Sequence, residues 1–85
     1  MQYQMEQWQS SRWSKGTRYY SIELCQDIFG DWVIRRSWGR NNTIGAGKLL
    51  TITCYSREEA LELYQKQTLR RLKRGYVQSK NEISG

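Results

Sequence analysis

The feature that most constrains the fold is a pair of alternating segments joined by a short loop. In Arg18 to Gln26, the side chains of Tyr20, Ile22 and Leu24 point one way, and those of Tyr19, Ser21, Glu23 and Cys25 point the other. This period of two is that of a half-buried strand. Asp27-Ile28-Phe29-Gly30-Asp31 follows, a polar-ended loop with a glycine, short enough for a hairpin. Alternation then resumes from Trp32 to Gly39. Trp32, Ile34, Arg36 and Trp38 share one face, and Val33, Arg35 and Ser37 share the other. Trp32 and Ile34 read as core. Arg36 and Trp38 carry the same row past the core edge, where a mixed basic and aromatic surface can form.

The remaining elements extend this hairpin. Leu49 to Tyr55 alternates again and is rich in β-branched and aromatic residues, which predicts a further strand. Glu6 to Arg12 is expected to be the first strand, with Trp8 reaching the core and Ser14 to Thr17 supplying a turn. Ser56-Arg57-Glu58-Glu59 is a capping box: the Ser56 hydroxyl can accept from the N–H of Glu59, whose carboxylate can reach back. The helix is predicted from Arg57 to about Arg74, with Ala60, Leu61, Tyr64, Thr68 and Leu72 on its packing stripe. Acidic residues sit early in it and basic residues late, which suits the helix dipole. Gly75 is the expected terminator, and Tyr76 is expected to fold back on the sheet. Val77 to Gly85 reads as a polar, disordered tail, and the first few residues as frayed. Sequential hairpins followed by one terminal helix predict an α+β fold. It is a twisted antiparallel sheet of about four strands, with one long C-terminal helix packed on one face.

An 85-residue chain makes one domain, expected over residues 1–76. No apolar run reaches the ~18 residues of a membrane span, and no basic-then-apolar leader opens the chain. The protein is therefore expected to be soluble and cytoplasmic. Fourteen basic residues against eight acidic ones give a net charge of +6. Such an excess on a small domain points to a polyanionic partner, nucleic acid before an anionic membrane. The chain has no histidine, so the commonest acid–base and metal-binding side chain is missing. Cys25 and Cys54 are too few for a four-ligand zinc site and read as buried or half-buried free thiols. There is no phosphate loop or dinucleotide fingerprint, and Gly45-Ala46-Gly47-Lys48 lacks the spacing of the former. No enzymatic activity, cofactor or metal is expected.

Binding residues are easier to place. Ser37-Trp38-Gly39-Arg40 ends a strand and opens a glycine-containing loop whose residues Asn41 to Lys48 include no acid. Trp38 offers a flat face for stacking, and Gly39 lets a ligand come close. Arg40 offers a planar fork for phosphate. Lys48 and the backbone of the loop can present further donors to an anion. Arg35 and Arg36 interleave with Trp32 and Trp38, the pattern of sequence-tolerant nucleic-acid binding. The cluster Arg70, Arg71, Lys73 and Arg74 can be a solvated helix end or a second phosphate patch.

Taken together, Tyr19 to Leu24, Asp31 to Arg40, Ser56 to Ala60 and Gly75-Tyr76 resemble the WGR domain of poly(ADP-ribose) polymerases and of short stand-alone bacterial proteins. The resemblance runs from roughly Met5 to Tyr76. It implies a DNA-binding module that favours ends or distorted DNA with little base specificity. By residue match, the sugar-packing role falls on Trp38 and the backbone-holding role on Arg40. No polymerase catalytic domain is expected in this chain, so the resemblance does not imply ADP-ribosyl transfer. After the motif, this chain has Asn41-Asn42-Thr43-Ile44 where a Val-Gly type of turn is usual. The alternative reading is a protein-interaction adaptor that uses the same surface. The chain is expected to be a monomer, with a dimer through an exposed sheet edge as the third option.

Overall fold

A computed structural model describes residues 3–41 and 47–79. A 3-10 turn, Met5–Gln7, leads into β1 (Gln9–Lys15), β2 (Arg18–Gln26), β3 (Trp32–Arg40) and β4 (Lys48–Thr53). The helix α1 (Arg57–Lys73) and the short strand β5 (Val77–Gln78) follow. All strand pairs are antiparallel, in the order β4-β3-β2-β1-β5, and α1 lies across one face of the sheet.

The sheet has five strands where about four were expected. The fifth comes from the stretch read as the start of the tail. Val77 pairs with Ser14 and Gln78 with Trp13, and the N–H of Ser79 donates to the Arg12 carbonyl at 2.8 Å. The rest of that stretch, from residue 80 onward, lies outside the described residues, as do Met1 and Gln2 and the loop at 42–46.

The first strand is displaced from its expected position. It begins at Gln9, and Glu6 belongs to the 3-10 turn before it. The tryptophan it delivers to the core is Trp13, while Trp8 is half-buried. The cause is a polar inward residue. Ser11 is buried because its Oγ accepts from both Trp13 Nε1 and the Tyr64 hydroxyl, each at 3.0 Å. Trp8 instead donates from Nε1 to Gln26 Oε1 at 3.3 Å, which also accepts from the Gln4 N–H at 2.7 Å. Gly16 sits at φ +60° and leads the two-residue turn between Lys15 and Arg18, a conformation that only glycine takes cheaply.

The core lies between the sheet and α1. Tyr20, Ile22 and Leu24 from β2, Ile34 from β3, Trp13, Cys54, Ala60 and Tyr64 form one buried cluster. Trp32, Trp38, Ile52, Leu61, Leu63 and Tyr76 pack around it. Ser56 caps the helix as expected, its Oγ accepting from the Glu59 N–H at 3.1 Å. The packing stripe is rotated from the expected one. Ala60, Tyr64, Gln67 and Arg71 are buried, whereas Leu72 is exposed. Residues 60, 64, 67 and 71 keep helical spacing, so two polar side chains take the inner positions at the C-terminal end. The helix closes with a Schellman motif. Tyr76 N–H donates to Arg71 O and Gly75 N–H to Leu72 O, with Gly75 at φ +84°. That reversal turns Tyr76 back toward the sheet, as expected, and carries the chain into β5.

Candidate nucleic-acid interface

The register of β2, β3 and β4 decides which candidate residues share a surface. Trp38 lies opposite Tyr20 on one side and Lys48 on the other, and Arg36 lies between Ile22 and Leu50. Arg40 lies opposite Arg18. Side chains directly opposite in an antiparallel ladder point to the same face. Arg36, Trp38, Arg40 and Lys48 therefore share the helix-bearing face of the sheet. Arg35 lies opposite Glu23, on the face turned away from the helix.

At the end of α1 this face opens into a cleft of about 500 Å³. Among the described residues it is lined by five arginines, Arg18, Arg36, Arg40, Arg71 and Arg74, together with Tyr19, Tyr20, Trp38, Tyr76 and Gly39, and by no acidic residue. Trp38 is half-buried and Arg40 is exposed, so neither is consumed by the core. Lys48 is exposed on the edge strand beside Trp38. Its loop partners at 42–46 lie outside the described residues.

Cations and rings alternate inside the cleft. The Arg36 guanidinium sits 5.3 Å from the Trp38 ring and 5.7 Å from the Tyr20 ring, and its Nε donates to the Tyr20 hydroxyl at 2.8 Å. The Arg71 guanidinium sits 4.4 Å from the Tyr20 ring and 5.2 Å from that of Tyr76. Guanidinium-to-face contacts at these distances offset part of the cost of placing these charges here. Arg74 enters from the helix end, where Lys15 Nζ donates to its carbonyl at 2.7 Å.

Gly39 has a different job from the one expected of it. Its φ is not positive, and the space where its Cβ would lie is taken from within. A Cβ there would meet Tyr19 Cε1 at 3.0 Å and Gly47 Cα at 3.1 Å. The ring of Tyr19 crosses the paired backbones of β3 and the approach to β4, so Gly39 makes room for a tyrosine of its own chain.

Of the six residues singled out by sequence, Arg36, Trp38, Gly39 and Arg40 line the cleft. Lys48 stands beside them on the same face, and Arg35 is on the other. Sequence reasoning gave no first role to Arg18, Tyr20, Tyr76 or Arg71. Arg71 was legible only as one member of the basic helix end. Its helical spacing from Tyr64 was the available sign, and its charge argued against using it.

Burial pushes the thiols of Cys25 and Cys54 above the usual thiol range, and it does the same to the Tyr64 phenol despite the hydrogen bond to Ser11. Both cysteines are free and buried, as expected. Among the described residues no group of His, Cys, Asp or Glu could hold a metal ion, and no helix is long and apolar enough to cross a membrane.

An α+β domain of this order, with its Trp-Gly-Arg tripeptide at the end of β3, defines a small binding module. The chain belongs to the WGR domain family, whose family model matches residues 1–83. No curated protein and no solved structure matches it. The WGR domain is a binding domain and not a catalytic one, known as a nucleic-acid-binding module in poly(ADP-ribose) polymerases.

Proposed function

We propose that this protein binds DNA with little base specificity, favouring ends or distorted duplex, through the cleft at the end of α1. The observation that carries the reading is the lining itself: five arginines with the rings of Tyr20, Trp38 and Tyr76 on the helix-bearing face, and no acid among the described residues there. Guanidiniums supply phosphate contacts that are blind to sequence. Trp38 supplies a stacking face for an exposed sugar or base, which intact duplex does not offer but an end or a nick does. Arg36 and Arg40 contact phosphate, Lys48 extends the basic surface toward the edge strand, and Gly39 keeps β3 and Tyr19 in contact. Arg35 serves a phosphate only on the reverse face of the sheet.

A mobility-shift titration tests this with blunt-ended, nicked and covalently closed duplex of one sequence, at two salt concentrations. Binding at low salt, tighter for ends and nicks and weakened by salt, is expected. Trp38→Ala and Arg40→Glu are each expected to weaken it while the fold survives. No binding to any of these DNAs at low salt removes the reading and leaves a protein partner for the same surface.

A further inference from the structure

We propose that the same cleft is a binding site for a free nucleoside diphosphate or triphosphate, with Arg71 as the floor of its phosphate subsite. The inference does not require that DNA binds there. Arg71 is only 8% exposed, and its Nε is buried without a hydrogen-bond partner among the described residues. A buried guanidinium without a counter-charge is costly, and the faces of Tyr20 and Tyr76 recover only part of that cost. Arg36 lies against the same Tyr20 ring, so two like charges flank one buried phenol with no carboxylate among the described residues of the lining. A bound anion relieves both problems at once.

The amount of charge selects the anion. Arg18, Arg40 and Arg74 are exposed around this pair. An internal phosphodiester brings one negative charge to a cleft where Arg18, Arg36, Arg71 and Arg74 alone supply four positive ones. A di- or triphosphate concentrates several charges over a few ångströms, and its oxygens accept from guanidinium forks in pairs. The cleft volume of about 500 Å³ falls within the roughly 300–1,000 Å³ of small-ligand sites. Trp38 and Tyr76 provide flat faces beside the arginines, so a base can stack while its phosphates reach Arg71.

Isothermal titration of the full chain tests this with ADP, AMP, adenosine and inorganic pyrophosphate, in the absence of divalent cations. One ADP is expected per chain, bound at least ~10-fold more tightly than AMP. Pyrophosphate is expected to bind more weakly than ADP, and adenosine not measurably. Arg71→Gln is expected to lose at least ~10-fold in ADP affinity. Because that residue is buried and the variant can fail to fold, exposed Arg74→Gln is the second test, with an expected loss of about fivefold. Arg12→Gln removes the same charge from the opposite face and is expected to stay within about twofold. Three results would overturn the proposal: ADP no tighter than AMP, pyrophosphate as tight as ADP, or Arg12→Gln losing as much as Arg74→Gln. The mobility shift, run in parallel, separates the two proposals. Loss of ADP binding with DNA binding intact removes this one alone, and the reverse removes only the DNA interface.

Discussion

At the scale of single residues, the Trp-Gly-Arg tripeptide splits into one structural member and two that face the cleft. Gly39 is held by packing: a methyl group there meets the Tyr19 ring at 3.0 Å and the Gly47 backbone at 3.1 Å. Gly39→Ala is expected to destabilise the fold by about 1–3 kcal/mol, the usual cost of overpacking. In a Tyr19→Ala background the same change is expected to cost less, because one of the two clashes is gone. A double-mutant cycle by urea denaturation measures the difference. Trp38 and Arg40 behave otherwise. Trp38 is half-buried against Arg36, so Trp38→Ala is expected to cost some stability as well as binding, whereas Arg40→Glu at an exposed position is expected to weaken binding with the fold retained. Paired thermal melts and mobility shifts separate the two effects.

At the scale of elements, β1 and α1 are joined by one buried hydroxyl. Ser11 Oγ accepts from Trp13 and from Tyr64, which ties the first strand to the middle of the helix. Ser11→Ala strands two buried donors and is expected to cost about 2–4 kcal/mol, more than Tyr64→Phe, which leaves the Trp13 bond in place. Ser56→Ala removes the helix cap and is expected to cost about 1 kcal/mol. Chemical denaturation of the three variants ranks them. These elements also show what the sequence could and could not reveal. β2, β3, β4 and α1 were legible as elements because alternation, β-branched and aromatic residues, and a helix cap mark them. β1 slipped because its inner row contains a serine satisfied only by tertiary partners. β5 was missed because two polar-flanked residues carry no pattern and form a strand only beside β1. The helix stripe was rotated because Gln67 and Arg71 are buried and polar, so counting apolar residues led to Thr68 and Leu72 instead. The site was legible as far as Trp38, Arg40 and Arg36. Tyr20, Arg18 and Arg71 come from other elements, and only the ladder register and the rotated helix bring them to the same cleft.

At the scale of the whole molecule, charge and proton binding set the solution behaviour. Tyr64, Cys25 and Cys54 all lose their protons less readily in the folded chain because burial disfavours the anion. Above the ordinary thiol and phenol values of 9.0 and 10.0, the unfolded chain therefore binds fewer protons than the folded one. Stability from these groups is present in full at neutral pH and is lost as pH rises through that range. Thermal melts are expected to fall above about pH 9, and Tyr64→Phe to show a shallower fall. The excess of cations makes the proposed DNA binding salt-dependent, with each phosphate contact adding about −0.9 to the slope of log K against log salt. Removing Arg40 is expected to reduce that slope by about one.

The most direct test of the account is to locate the contact surface on the folded chain. In an ¹⁵N-labelled sample titrated with nicked duplex, the largest shifts in amide and indole resonances are predicted at Trp38, Arg36, Arg40, Arg71 and Tyr76. Shifts confined to the reverse face, at Glu23, Arg35 and Thr51, or the absence of any shift at low salt, would contradict it.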